Sequence, residues 1–302
     1  MNQALASDIA TFEWLTSFNH WGSIGFVFGL LIQIVVVFRV IMGKRGVGET
    51  LAWVMLVLGI PVVGWIMYLL IGELRLGASR EKRYQKLSSA VQRRLKELEP
   101  IESQVPWPEI DQEYAQIAKT GRGTLSFPIL PGNQLELIED WQLVFDRIIA
   151  DIDSATTNCD LQFYIWHSGG RTQDVVAAIE RARSRGVHCR ILVDSLGSWK
   201  FLHSEEAKRL EAAGAEVREA LPSRLWRLPF VRYDLRMHRK LVLIDDQIAW
   251  TGSLNLIDPR FFKQEAGVGQ WIDAMVRVRG PIVEGLAIVF QTDWQTEDEQ
   301  GT

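Results

Sequence analysis

The stretch MHRKLVLIDDQIAWTGSLN (237–255) contains the pattern that decides the fold around it. Its run of four aliphatic residues, Leu241 to Ile244, is too short for a helix and predicts a buried strand. The polar tripeptide Asp245-Asp246-Gln247 predicts a tight turn, and residues 248–251 predict a strand that returns beside the first. Together these segments predict a β-hairpin in the core of a domain.

Polar side chains suited to catalysis flank one end of this hairpin. His238 and Lys240 precede the apolar run, and alternation along a strand places them on the same face. The returning strand ends at Gly252, after which the Ser253 hydroxyl and the Asn255 amide come back toward the imidazole and the ammonium. A nucleophilic ring beside a cation and neutral hydrogen-bond donors suits phosphoryl transfer. Any one of these residues alone would more often be structural, so the prediction depends on their spacing.

The spacing matches a known signature, H-x-K-x-x-x-x-D-x-x-x-x-x-x-G-S-x-N, which belongs to the phospholipase D superfamily. The residues that match it are His238, Lys240, Asp245, Gly252, Ser253 and Asn255. The wider sequence, including FYIW (163–166), HCRILVDSLGS (188–198) and AGVGQWID (266–273), resembles bacterial cardiolipin synthases. The resemblance implies a phospholipase D-like α/β fold and phosphatidyltransferase activity.

The resemblance also implies a reaction and a set of site residues. His238 would displace glycerol from phosphatidylglycerol to form a phosphatidyl-histidine, and a second phosphatidylglycerol would then release cardiolipin. Lys240 and Asp245 would complete the catalytic group, while Ser253 and Asn255 would bind phosphate, with no metal or other cofactor. Asp245, however, lies five residues beyond Lys240, which on an extended strand is about 16 Å. We therefore expect a structural role for Asp245, although it belongs to the family's triad.

Members of the family carry two such signatures, and this sequence contains one. The other histidines are not followed two residues later by lysine: His20, His167, His188 and His203. By resemblance, the histidine of the second signature protonates the leaving glycerol. Three expectations follow: a truncated or split reading frame, a homodimer in which two His238 side chains share one site, or a second polypeptide that carries the missing signature.

Two alternatives to a phosphatidyltransferase stay open at this point. One is a catalytically silent half-enzyme that binds lipid or a partner in the membrane, and the other is a different phospholipase D-type phosphodiesterase that acts as a homodimer. A nuclease is disfavoured, because the formal charge of −4 and the pI near 5.8 do not suit binding to nucleic acid through bulk charge.

Cys159 and Cys189 fall in predicted core strands and are expected to be buried free thiols. The scattered histidines show no metal-ligand spacing, so we predict no metal site.

Two uncharged stretches, residues 21–38 and 51–71, stand near the start of the 302-residue chain. Each approaches the ~20 residues needed to cross a bilayer. We predict a transmembrane hairpin with helices at about 21–42 and 51–71, the second kinked at Pro61. A hairpin buried in a soluble core is the alternative, and two such stretches in tandem disfavour it. The predicted organisation is a polar segment (1–20), the hairpin (21–72), a basic juxtamembrane helix and linker (73–133) and the phospholipase D-like domain (134–302).

Basic residues predict the orientation in the membrane. Arg39, Lys44 and Arg45 favour a cytoplasmic turn, whereas a larger group follows the hairpin: Arg75, Arg80, Lys82, Arg83 and Lys86. The larger group places the main domain in the cytoplasm, so we predict a multi-pass protein of the bacterial inner (cytoplasmic) membrane. Residues 73–99 predict a helix that either lies along anionic headgroups or packs on the catalytic domain.

From residue 134 onward, short apolar strands alternate with amphipathic helices. The predicted strands are 134–138, 161–166, 187–194, 216–220, 241–244, 248–251 and 271–278, and the predicted helices are 140–155, 172–185, 204–213 and 281–291. Such alternation predicts an α/β domain in which helices cover a mixed sheet.

Overall fold

The computed structural model describes residues 25–43, 45–72, 78–125, 127–222, 236–261, 267 and 271–298. The chain divides into two compact units: Met1–Leu76 with Leu225–Asp234, and Gly77–Arg224 with Leu235–Thr302. The predicted polar segment 1–20, the first residues of the first predicted span and part of the AGVGQWID motif lie outside the described residues.

The first unit contains helix α1, Gly25–Met42, which is long and apolar enough to cross a membrane, with a mean hydropathy of 2.4 over its 18 residues. Only 11% of these residues are buried, so most of the apolar side chains of the helix are exposed in the described part of the chain. The structure therefore confirms an apolar helix of spanning length over residues 25–42, while its crossing of a membrane stays a prediction.

The second apolar stretch forms two short helices where the sequence predicted one kinked helix. Helix α2 is Val47–Gly59, and α3 is Pro61–Met67, which continues as a π-helical turn over Tyr68–Gly72. Ile60 has non-helical dihedral angles, and the proline after it cannot donate a hydrogen bond to the preceding turn. A Cβ at Gly64 would lie 2.5 Å from the Leu56 carbonyl oxygen, so the two helices fold closely against each other. Neither reaches ~20 residues, and a hairpin of two full-length spans stays a prediction.

The second unit is built on one seven-stranded sheet with the order β1-β7-β6-β5-β2-β3-β4. Its strands are β1 Gln134–Ile138, β2 Asn158–Phe163, β3 His188–Asp194, β4 Glu216–Ala220, β5 Lys240–Ile244, β6 Ile248–Gly252 and β7 Met275–Arg279. The pairs β2–β3 and β3–β4 are parallel and the others antiparallel, which confirms the predicted mixed sheet.

The register brings functional segments together at one end of the sheet. Phe163 at the end of β2 pairs with Lys240 at the start of β5, and Gly252 at the end of β6 pairs with Met275 at the start of β7. Strands β3 and β4 finish at the same end, where Asp194 pairs with Ala220. We call this the His238 end, because His238 immediately precedes β5 there.

Helices cover both faces of the sheet, as the strand–helix alternation predicts. One face carries α6 Trp141–Ser154, α7 Thr172–Ser184, α8 Trp199–Leu202 and α9 Glu205–Ala212, and the other carries α10 Ile282–Thr296. Side chains of β3 show why both faces need cover: Ile191 belongs to the first cluster, whereas its neighbour Leu192 packs with Phe290 and Trp294 of α10. Cys159 and Cys189 are free, buried thiols, as predicted, and they lie opposite each other on the neighbouring strands β2 and β3.

Helix α4, Ala78–Glu102, packs on the outside of α10. Leu95 and Leu98 join Leu130 and Ile288 in a small apolar cluster. An ion pair of 2.7 Å also joins Arg80 to Glu297. Of the two interpretations of residues 73–99, these contacts favour a helix packed on the catalytic domain. A shorter helix, α5 Gln112–Leu125, follows a 3₁₀ turn at Trp107–Glu109, and the domain boundary predicted at residue 134 stays a prediction.

Candidate active site

His238 and Lys240 lie side by side at the His238 end. The Lys240 Nζ atom is 3.2 Å from each of the two ring nitrogens of His238 and 3.2 Å from its carbonyl oxygen. The lysine is buried and only 4% exposed, whereas the imidazole is exposed. A buried cation therefore stands directly beside an accessible imidazole, as the placement of both residues on one face of the strand predicted.

The aromatic ring of Tyr164 completes the surroundings of the histidine. It lies just beyond the end of β2, with its centroid 4.9 Å from that of the imidazole and 5.5 Å from Lys240 Nζ. The Gly197 backbone approaches Tyr164 so closely that a Cβ there would lie 2.3 Å from the Tyr164 carbonyl oxygen. The sequence placed Tyr164 in an aromatic strand but assigned it no part in the site. The ring of Tyr164 therefore packs against one side of the imidazole.

A buried carboxylate anchors the segment before His238. Asp194, at the end of β3, is fully buried and accepts a hydrogen bond of 3.0 Å from the Met237 backbone N–H. It also accepts hydrogen bonds from the Leu196 and Gly197 backbone N–H groups, at 3.0 and 2.9 Å. Reasoning from the sequence missed this residue, and the available signal was a lone aspartate that follows a run of apolar residues in a strand. Asp194 therefore positions the backbone of the residue adjacent to the candidate nucleophile.

A second carboxylate, from α10, also holds this segment. Asp293 of α10 pairs with the Arg239 guanidinium and accepts a hydrogen bond of 2.6 Å from Gln162 Nε2. Gln162 also lies 2.9 Å from the Met237 sulfur. The residues on both sides of His238 are therefore tied to the sheet and to α10.

Burial lowers the pKa of the Lys240 ammonium from its ordinary value, and attraction to Asp273 opposes that shift. A lysine in this setting is poorly hydrated, so its charge interacts strongly with an anion placed beside His238. No group of three His, Cys, Asp or Glu side chains in the described part of the chain is placed to hold a metal ion. The Lys240 ammonium, 3.2 Å from the ring nitrogens of His238, is a cation available to such an anion.

Ser253 and Asn255 stand next to this pair in the sheet but already make internal hydrogen bonds. The Ser253 hydroxyl accepts a hydrogen bond of 3.0 Å from the Ala274 N–H, and Asn255 Oδ1 accepts a hydrogen bond of 3.0 Å from the Ile165 N–H. Gly252 precedes them because the backbones are too close for a side chain: a Cβ would lie 2.2 Å from the Ala274 carbonyl oxygen. The assignment of Ser253 and Asn255 to phosphate binding stays a prediction.

Asp245 lies at the opposite end of β5 from His238. Its carboxylate accepts hydrogen bonds from the backbone N–H groups of Thr156, Thr157 and Asn158 and from both threonine hydroxyls. Burial alone would raise its pKa, but these hydrogen bonds hold the pKa well below the ordinary value. These contacts are structural and agree with the expectation for Asp245, while its catalytic assignment stays a prediction.

Comparison with known proteins connects this geometry to a family. Residues 148–294 match the family model described as cardiolipin synthase, PLD-like domain, and residues 31–73 match the one described as phospholipase D-nuclease N-terminal. Cardiolipin synthase A of Pectobacterium carotovorum is 38% identical over 287 residues, which is 94% of this chain and 57% of the relative. Cardiolipin synthase A of Yersinia pseudotuberculosis is 40% identical over 289 residues, with the same shares.

One solved structure, the phospholipase D family member Nuc from Salmonella typhimurium, is 17% identical and has a TM-score of 0.40, covering 55% of this chain and 96% of its own. The chain spans about half the length of the curated relatives it matches. The matched domain, the signature residues and the identity over nearly the whole chain place it in the cardiolipin synthase family of the phospholipase D superfamily.

Proposed function

We propose that this chain supplies the nucleophile half of the active site of a membrane phosphatidyltransferase that makes cardiolipin from two phosphatidylglycerol molecules and releases glycerol. The observation that carries the proposal is the contact between the exposed imidazole of His238 and the buried ammonium of Lys240, at 3.2 Å. The identity to relatives named cardiolipin synthase A supports the substrate class.

In the first step, neutral His238 attacks the phosphorus of phosphatidylglycerol. An N–P bond forms as the P–O bond to glycerol breaks, giving a covalent phosphatidyl-histidine. The Lys240 ammonium lies beside the ring nitrogens and neutralises charge on the non-bridging oxygens. Ser253 and Asn255 are the proposed hydrogen-bond donors to the same oxygens, after a change in their present partners.

In the second step, the hydroxyl of another phosphatidylglycerol attacks the phosphorus and the N–P bond breaks. Glycerol needs a proton when it leaves, and the incoming hydroxyl must lose one, so a second acid–base group is required. We assign this group to a second histidine signature, supplied by another copy of this chain or by another polypeptide. A half-site that only binds lipid or a partner, and a different phosphodiesterase built from two copies, are the competing functions.

A histidine substitution tests the proposal in the full chain. The full chain carrying His238→Ala, placed in membranes with labelled phosphatidylglycerol, is expected to form no cardiolipin and no acid-labile phosphoprotein, because the nucleophile is gone. The matched control is His188→Ala, since His188 is exposed at the start of β3 and pairs there with Glu216 at 2.8 Å. Cardiolipin formation by the His238→Ala protein at the wild-type rate would refute the proposal.

We further propose that the protein is a multi-pass component of the bacterial inner membrane, with the catalytic unit on the cytoplasmic side. Helix α1 supports one membrane crossing, and the basic residues between 75 and 86 support the orientation. A membrane-impermeant thiol reagent tests it on Leu135→Cys in intact cells, because Leu135 is 70% exposed and the native thiols are buried. Labelling only after the inner membrane is opened is the expected result, and labelling of cells whose outer membrane alone is opened would contradict it.

A further inference from the structure

The second apolar stretch folds back on itself within the first unit. Helices α2 and α3 form an antiparallel hairpin over residues 47–72, because the ring of Trp53 lies 5.5 Å from that of Tyr68, fifteen residues later. In one continuous helix those two residues would be about 22 Å apart. At the open end of the hairpin, Arg45 donates a hydrogen bond to the Gly72 carbonyl, and its guanidinium lies over the Tyr68 ring. The chain therefore enters and leaves the hairpin at the same end.

Each arm of this hairpin is too short to cross a bilayer. Helix α2 is about 20 Å long, and α3 with its π-helical turn is about 18 Å long, whereas the hydrocarbon core of a bilayer is about 30 Å thick. The tip between the arms, residues 58–63, carries no charged or strongly polar side chain. Such a tip suits the hydrocarbon and not the water on the far side.

A glutamine of α1 closes the break in the backbone at the tip. The helical partner of the Val57 carbonyl would be the N–H of residue 61, but Pro61 has no N–H. Gln33 Nε2 donates a hydrogen bond of 2.9 Å to that carbonyl. The bond matters in hydrocarbon, where water cannot replace a missing donor. Because Gln33 lies at the centre of Gly25–Met42, the tip reaches only to the middle of this apolar helix.

Apolar side chains cover the outside of the hairpin. No Asp, Glu, Lys or Arg occurs between residues 51 and 71, and the charged pair Arg45–Glu49, at 3.7 Å, lies at the open end. Lipid acyl chains are the partner that fits such a surface. Five large side chains of the arms are more than half exposed: Leu51, Met55, Leu58, Val62 and Val63.

The basic residues on the two sides of the hairpin agree with this geometry. Three lie between residues 39 and 45, before α2, and five lie between residues 75 and 86, after the hairpin. Two full crossings would place these groups on opposite sides of the membrane, which the positive-inside rule disfavours. A hairpin that returns to its entry side places both groups in the cytoplasm. Residues 1–24, which precede α1, contain no lysine or arginine.

We propose that α2 and α3 form a re-entrant hairpin in the cytoplasmic leaflet, and that the chain crosses the membrane fully only at α1. Residues before α1 then lie in the periplasm, and the segment after Gly72 leads into the cytoplasm. This inference deepens the membrane organisation proposed above, because the second pass enters and leaves by the cytoplasmic face. It rests on that proposed function for the orientation, and not for the hairpin itself. A hairpin of two full crossings is the rival arrangement.

Single cysteines in the full chain test the arrangement in cells. Ser7→Cys marks the segment before α1, Gly46→Cys marks the open end of the hairpin, and Leu135→Cys marks the catalytic unit. Gly46 is exposed, and a Cβ there meets no atom within 4 Å. With the outer membrane opened, a membrane-impermeant thiol reagent is expected to label position 7 alone. Positions 46 and 135 are expected to react only after the inner membrane is opened. The wild-type chain is the control, because its thiols are buried.

The re-entrant hairpin requires positions 46 and 135 to react alike and position 7 to react in the opposite way. Position 46 reacting differently from 135 would overturn the hairpin and indicate two full crossings. Position 7 reacting like the other two would overturn the single crossing at α1. Labelling of 46 and 135 but not of 7 from the periplasm would keep the hairpin and refute the proposed orientation alone. The readout does not depend on turnover, so a failure to form cardiolipin would refute the proposed activity alone.

Discussion

At the scale of single residues, Tyr164 is the aromatic side chain that packs against His238. Its ring centroid lies 4.9 Å from the imidazole, so removing the ring leaves the nucleophile unsupported on that side. Tyr164→Leu is expected to lower kcat by up to about 100-fold, the cost of misplacing a reacting group by ~1 Å. Steady-state kinetics with phosphatidylglycerol in mixed micelles would measure the change, with KM nearly unaltered because the ring touches the nucleophile.

The control for this residue is Tyr164→Phe, which keeps the ring and removes only the hydroxyl. It is expected to retain most of the wild-type kcat, since the contacts with His238 and Lys240 are made by the ring. An equal loss in the leucine and phenylalanine variants would show that the hydroxyl matters and the ring contact does not. A rise in KM without a change in kcat would assign Tyr164 to lipid binding instead.

At the scale of elements, the turn between β5 and β6 joins two parts of the sheet through Asp245. The carboxylate accepts five hydrogen bonds from the segment that begins β2, so it fastens β5 to β2. Asp245→Asn is expected to lower the free energy of unfolding of the catalytic unit by about 2 kcal/mol at pH 7, the usual range for hydrogen bonds to a charged group. Urea unfolding of the full chain in detergent, followed by near-ultraviolet circular dichroism, would measure it.

The same substitution predicts a pH dependence. The pKa of Asp245 in the folded protein is depressed. The contribution of its carboxylate to the free energy of unfolding is therefore complete above the unfolded pKa of about 3.9 and is lost as the pH falls below that value. The difference between wild type and Asp245→Asn should therefore shrink below about pH 4. Asp246→Asn is the matched control: Asp246 shares the turn and its positive φ, yet its carboxylate has one described hydrogen bond, of 3.4 Å from Asn158. A destabilisation as large in this control would contradict the assignment.

The elements themselves followed largely from local sequence patterns. Four aliphatic residues predicted β5, and a polar turn predicted its return, because both signals lie within a few neighbouring residues. Asp194 could not be found in this way, since its hydrogen bond to Met237 joins residues 43 positions apart. Pro61 predicted a kink, but the folding of α3 against α2 was hidden, because the close approach of Gly64 to Leu56 depends on the packing of two short helices. Local periodicity predicts elements, and contacts between distant segments decide how a site is held.

At the scale of the whole molecule, the open question is which chain supplies the second histidine. If two copies share one site and both His238 side chains are required, a pair is active only when both members are wild type. Mixing wild-type chain with an equal amount of His238→Ala before reconstitution should then leave about a quarter of the activity that the same total of wild-type chain would show. Mixing with His188→Ala, whose substitution lies away from the site, should leave the activity unchanged.

Activity that falls only in proportion to the wild-type fraction would exclude a shared pair of His238 side chains. No activity at any density of pure wild-type chain would point instead to a different polypeptide as the proton donor, because one histidine cannot both carry the phosphatidyl group and protonate the leaving glycerol.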